Sequence, residues 1–229
     1  LARSMWREGR VREALAAVLP LRDEGVQVLR HEQRGVLLNT IAGCYSALGD
    51  SAQAFAHMFE ALRDAGPKRG RGFDTVLHCN LSHELMQIGD YEHALQHVDQ
   101  GLAGCTQLRN DHLLGILLIN RVICLTELGR AAEARPDVAA VLAMPTDASG
   151  RGSIEPAFEA LAISALRAGD LARGAELVAR AQALGDSAIP DERVERVTAA
   201  ALLALTRGDA KGALRTLRAV RDEAARDDL

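Results

Sequence analysis

Two pairs of ligand-capable side chains stand four residues apart in this chain: Cys79 with His83, and His93 with His97. That spacing puts both members of a pair on one helix face, where zinc and softer metals are often held. Neither pair has what would complete a site. No Glu stands between His93 and His97, and no third nitrogen, sulfur or carboxylate follows either pair in phase. His93 and His97 therefore read as surface residues of an outer helix. Cys79 and His83 read as polar residues of a groove, and no metal ligand and no cofactor are assigned. No Ser-His-Asp set can be placed by spacing. Gly70-Arg71-Gly72 lacks the ending and the preceding strand of a phosphate loop. A different chemistry is offered by Asn39, Asn80 and Asn120. An Asn side chain carries donors and an acceptor, so it can pair with the backbone of an extended peptide whatever that peptide's sequence. The alternative is that these amides bond to neighbouring helices or to water.

What positions these residues is a repeat. Glycines stand at 9, 49, 89, 129, 169 and 208, at intervals of 40, 40, 40, 40 and 39. Five residues after each comes Ala14, Ala54, Ala94, Ala134, Gly174 or Ala213. Regularity over the whole chain is the mark of a stacked array in which each unit packs on its neighbours. An amphipathic stripe precedes each glycine, as in Leu38, Ile41, Ala42 and Tyr45, and a second follows, as in Ala54, Phe55, Met58, Ala61 and Leu62. Both have the spacing of a helix face. The glycine ends one helix by accepting a left-handed backbone. Asp50, Asp90, Asp170 and Asp209 then cap the next helix. Each unit is thus a helix hairpin.

The predicted fold is all-α, a right-handed α-solenoid of antiparallel helix hairpins with a repeat of about 40 residues. One domain spans 1–229, with a truncated first hairpin over 1–30 and full hairpins over 31–67, 72–108, 111–145, 153–186 and 190–226. Loops are expected over Gly66–Gly72, Met144–Ser153 and Gly185–Pro190, with Pro190 at a first helical position. Pro136 falls within a second helix and should kink or shorten it.

Leu48-Gly49-Asp50-x-x-x-Ala54-Phe55 resembles the tetratricopeptide repeat, as do Ile88-Gly89-Asp90-Tyr91-Glu92-His93-Ala94-Leu95 and Leu128-Gly129-Arg130-x-x-x-Ala134. The resemblance covers essentially the whole chain. The standard period of that family is shorter, at about 34. The extra length is similar to the long-helix variety in kinesin light chains and bacterial signalling proteins. Those relatives often carry Glu-Ala-x-Pro, which Glu133-Ala134-Arg135-Pro136 matches, and Asn nine or ten residues before the glycine. Arg121 and Arg135 depart from the pattern, standing where apolar residues are usual.

The resemblance implies a non-enzymatic peptide- or protein-binding module, sensory or scaffolding. It further implies the regulatory part of a larger bacterial signalling protein, such as a diguanylate cyclase or a transcription regulator. First helices line the inner face of such an array. The ligand-groove candidates are Asn39, Cys79, Asn80, His83, Gln87, Asn120, Glu127 and Arg167. A later apolar row, Ile163, Leu166, Leu202 and Leu205, is the candidate interface for a partner helix or a homodimer. The rivals are a homo-oligomerisation scaffold and a metal- or small-ligand-binding regulatory domain.

The net charge of −4 gives no electrostatic footprint for nucleic acid. The basic run Lys68-Arg69-Gly70-Arg71 reads as a solvated loop. No apolar run approaches the ~18 residues needed to span a bilayer. Four separated cysteines without a Cys-x-x-Cys pair read as free thiols of a cytoplasmic protein. The chain begins at Leu1 without Met, and so reads as an excised fragment.

Overall fold

The computed structural model describes residues 5, 10–23, 29–65, 71–108, 110–144, 157–184 and 190–227. Among them all regular structure is helical. In chain order the helices are α1 (Val11–Val18), α2 (His31–Ala47), α3 (Ser51–Ala65), α4 (Arg71–Gln87), α5 (Tyr91–Leu108) and α6 (Asp111–Glu127). A 3-10 turn (Ala131–Ala134) then leads into α7 (Arg135–Ala143), α8 (Ala157–Arg167), α9 (Leu171–Ala183), α10 (Pro190–Thr206) and α11 (Ala210–Asp227). Two compact units divide the chain, Leu1–Leu113 and Leu114–Leu229. The expected turn at Gly9 and the loop residues 66–70, 145–153 and 185–189 lie outside the described residues.

The hairpin turns share one construction. Gly49, Gly89, Gly129, Gly169 and Gly208 have φ between 74° and 82°, the left-handed region. Each closes a double bond pattern typified by Gly49 N–H to Ser46 O at 2.9 Å and Asp50 N–H to Tyr45 O at 2.9 Å, which satisfies the orphan carbonyls of the ending helix. The following Asp then caps the next helix. Oδ1 of Asp50, Asp90, Asp170 and Asp209 accepts from the backbone N–H of Gln53, His93, Arg173 and Gly212 at 2.7–3.3 Å. The third of these joints has Arg130 in place of Asp. No side chain caps the next helix there, and it opens as the 3-10 turn. Pro136 follows in the first turn of α7, where its missing N–H costs little, so the second helix of this hairpin is split and α7 is short.

In the first unit, Ala42, Ala54, Met58 and Leu81 form one buried cluster, and Leu38, Ala61 and Leu77 another. Rising numbers on α2 meet falling numbers on α3, which makes that pair antiparallel. Leu77 beside Leu38 and Leu81 beside Ala42 make α2 and α4 run the same way. A Cβ on Gly104 would overlap Thr75 Oγ1, so the small residue lets α5 cross close over α4. Glu60 is bracketed by Arg22 and Arg34 at 2.9 and 2.8 Å, and Arg34 also meets Asp64 at 3.0 Å. Burial would raise the Glu60 carboxyl, but the two guanidinium groups outweigh it and hold the carboxyl below its usual range.

The second unit uses the same parts. α8 packs on α9 and on α10, and α9 also packs on α10. Gly174 departs from the alanine of the repeat because Leu166 fills the space its Cβ would need. Glu159, fully buried in α8, is held by Arg196 of α10 at 2.7 Å. Arg121 finds Asp137 of α7 at 3.6 Å, and Arg135 donates to the carbonyl of Ala168 at 2.6 Å. Both departures from the repeat pattern thus have acidic or carbonyl partners.

Candidate functional site

In the first unit α2 and α4 present a polar ledge. Asn80 Nδ2 donates to Asn39 Oδ1 at 2.8 Å, and both side chains are partly buried. The bond uses one acceptor of Asn39 and one donor of Asn80. Asn39 keeps its amide donors and Asn80 its carbonyl oxygen, a pairing suited to the C=O and N–H of one residue of an extended strand, which point to the same side. Exposed Val36 lies one turn from Asn39, and exposed His83 and Gln87 continue along α4, their Nε2 atoms 3.5 Å apart. A helix holds such a row because residues three and four apart share a face.

The other groove candidates divide. Cys79 is not on the ledge: one residue before Asn80, it is turned into the core. Burial there, with Cys105 nearby, pushes its thiol up to about 12, so it is not a thiolate nucleophile. Cys44, Cys105 and Cys124 are likewise buried, and none of the three is in a disulfide. Asn120, in the second unit, is also buried, so it does not stand on an open surface. Glu127 and Arg167 are exposed and paired at 2.8 Å, and Arg167 also donates to the Thr126 carbonyl at 3.3 Å. This links the ends of two successive first helices. In the apolar row Leu166 is buried against Gly174, Ile163 and Leu202 are partly buried, and Leu205 is half exposed. Leu166 is therefore core rather than interface, because a glycine opposite it admits the side chain.

His93 and His97 part company although they share a helix. His93 is exposed and bonded to Asp90 at 2.8 Å. His97 turns inward, its Nδ1 2.9 Å from Nδ1 of His78 and its ring against Phe59. The sequence pattern alone does not reveal the His78–His97 pair, since it depends on the register of α4 against α5. Burial lowers both imidazoles. For His78 the carboxylate of Asp74 works against this, and for His97 the charges of His78 and His93 add to it. No group of three or more His, Cys, Asp or Glu among the described residues could hold a metal ion. A cleft of about 170 Å³ lies in the second unit between the 3-10 turn, α7, α8 and the start of α9, with Arg135 and Arg173 among its lining residues. It is smaller than the ~300 Å³ at which small-molecule pockets begin. No helix among the described residues is long and apolar enough to cross a membrane.

No protein-family model matches the chain, and no curated protein matches it in sequence. Solved structures do match in fold. PilW, described as a widely conserved type IV pilus biogenesis factor, superposes with a TM-score of 0.67 at 18% identity over 94% of this chain and 87% of its own. The TPR-like repeats of a putative kinesin light chain from Podosopora anserina give 0.65 at 17% identity, over 80% of this chain and 91% of theirs. The apo form of RapI gives 0.71 at 11% identity, over 98% and 74%. At such identities the likeness is one of fold: the chain has the fold of TPR-like helical repeats.

Proposed function

We propose that this chain is a non-enzymatic module that binds an extended peptide or protein segment along its first helices. The observation that carries the reading is the Asn39–Asn80 ledge, with a donor and an acceptor left over on adjacent helices. Partial burial matters here, since a hydrogen bond on a half-desolvated ledge competes with water better than one in the open. The TPR-like fold adds support, because helical repeats build extended surfaces suited to binding. The Asn positions and Glu133-Ala134-Arg135-Pro136 resemble the long-repeat variety. On that basis we read the module as the regulatory part of a larger bacterial signalling protein, such as a diguanylate cyclase, working in the cytoplasm.

The test begins with peptides selected from a random extended library on the purified chain. Replacing both ledge residues (Asn39→Ala with Asn80→Ala) should weaken the selected peptides by about tenfold or more, which corresponds to ~1.4 kcal/mol. Far-UV circular dichroism should stay unchanged, because the lost mutual bond is worth only about 1 kcal/mol. Peptides whose calorimetric affinity ignores the double substitution would sink the ledge as the binding site.

A further inference from the structure

Glycine inside a helix weakens it, so each such glycine calls for a reason. Packing supplies one at Gly104, Gly115, Gly174 and Gly212: within 3.2 Å of where each would carry its Cβ stands an atom of Thr75, Met144, Leu166 or Asp209. Gly43, in the interior of α2, is different. A Cβ there would meet nothing within 4 Å among the described residues, and Gly43 is not one of the glycines with a left-handed backbone. Neither packing nor backbone conformation accounts for it. Its position does single it out. Gly43 stands one turn after Asn39 on the same face of α2. The matching place on α4, also six residues before a turn glycine, carries the exposed side chain of His83. Where α4 has an imidazole, α2 has an open notch beside the asparagine pair.

We propose that this notch is a side-chain pocket of the ledge, and that it takes a long side chain ending in a hydrogen-bonding group from the extended peptide that the asparagines hold. The pocket rests on the peptide-binding reading above and names the peptides it favours. Asn39 and Asn80 stand on neighbouring helices that run the same way, and are joined at 2.8 Å. A residue that offers its N–H and C=O to both lies across the two helices, not along either. Side chains of an extended strand leave it alternately to its two sides. With the main-chain polar groups turned toward the asparagines, those sides are the N-terminal and C-terminal stretches of α2 and α4. On the first stands Val36, 51% exposed, three residues before Asn39. On the second stand Gly43 and, on α4, His83 and Gln87, whose Nε2 atoms are 3.5 Å apart. From Asn39 to Gly43 the helix advances about 6 Å, within reach of a long side chain leaving the strand at the asparagines. Without a Cβ at 43, that side chain can lie flat on α2, its polar end beside His83 and Gln87. The favoured peptide therefore alternates an apolar residue, over Val36, with a long polar one such as Gln or Glu, over Gly43.

The experiment selects from a random library of short peptides, blocked at both ends, on the purified chain and on Gly43→Leu. The native chain should enrich peptides in which apolar and long polar residues alternate. Gly43→Leu should bind those peptides about tenfold more weakly, and its own selected peptides should carry Gly, Ala or Ser in place of the long polar residue. Gly43→Ala separates this role from a structural one. It should raise the melting temperature by a few degrees, because alanine favours the helix and meets no clash, and still weaken the native peptides by about threefold. It also carries the test where Gly43→Leu fails to fold. Unchanged affinity in both variants, or the same residues selected by the native chain and by Gly43→Leu, would overturn the pocket. If the peptides respond to Asn39→Ala with Asn80→Ala but not to the changes at Gly43, the ledge stands and the pocket alone is wrong. If they ignore the asparagine pair, the ledge is wrong and the pocket falls with it.

Discussion

His78 and His97 face each other at 2.9 Å between α4 and α5, in a place where only one of two hydrogens can sit between the nitrogens. Burial lowers both below their ordinary value of 6.5. The unfolded chain, with ordinary histidines, therefore takes up protons at a higher pH than the folded one does. Stability is held above the unfolded value and falls as pH drops through it, levelling off only below the folded values. Thermal melts should show the midpoint falling from pH 7.5 toward 5.5, before the carboxylates titrate. His97→Phe should flatten that slope while keeping an aromatic ring beside Phe59. An equal slope in the variant would remove the pair as its cause. The residue scale is also where the sequence is hardest to read. Asn39 and Asn80 could be picked out because side-chain type and spacing coincide. Cys79 could not be placed, because one residue is a rotation of about 100° on a helix, which separates ledge from core. His97 reads as outward with His93 because the two share a helix face, and the partner that turns it inward, His78, comes from another helix.

Elements were far more legible, because their signals lie in consecutive residues. Gly-Asp writes the end of one helix and the cap of the next, and the four joints that carry it, at Gly49, Gly89, Gly169 and Gly208, fold alike. The joint that lacks Asp, at Arg130, is the one whose next helix begins as a 3-10 turn, so the exception follows the same rule. Gly89 offers a clean measure of this turn chemistry. Its φ is +78°, and nothing stands within 4 Å of where a Cβ would be. A substitution there meets no clash, so its cost is purely that of holding an L-residue in the left-handed region, about 1–2 kcal/mol. Gly89→Val should lower the melting temperature by several degrees, since a β-branched side chain resists this backbone. Gly89→Asn should cost much less, because Asn visits the region readily. Equal losses in the two variants would mean that the turn does not govern the stability of the α4–α5 hairpin.

For the whole molecule, the same physics predicts uneven stability. A helical-repeat chain is held mainly by contacts between neighbouring hairpins, so a hairpin packed on one side alone opens more easily than one packed on both. The repeat periodicity made the stacking legible, but not which faces go uncovered, since Leu217 and Met58 look equivalent in sequence and differ only in what lies beyond them. α8 and α9 have α10 against them, while Leu205, Leu214 and Leu217 of α10–α11 are exposed among the described residues. Hydrogen exchange read by mass spectrometry should therefore show the amides of 194–219 exchanging ahead of those of 157–183 under native conditions. The difference should grow in Leu203→Ala, which removes a buried side chain that ties α10 into the unit. Equal protection of the two segments in the free chain would mean that the last hairpin draws its stability from within rather than from its neighbours, and the nearest-neighbour account of this fold would have to be given up.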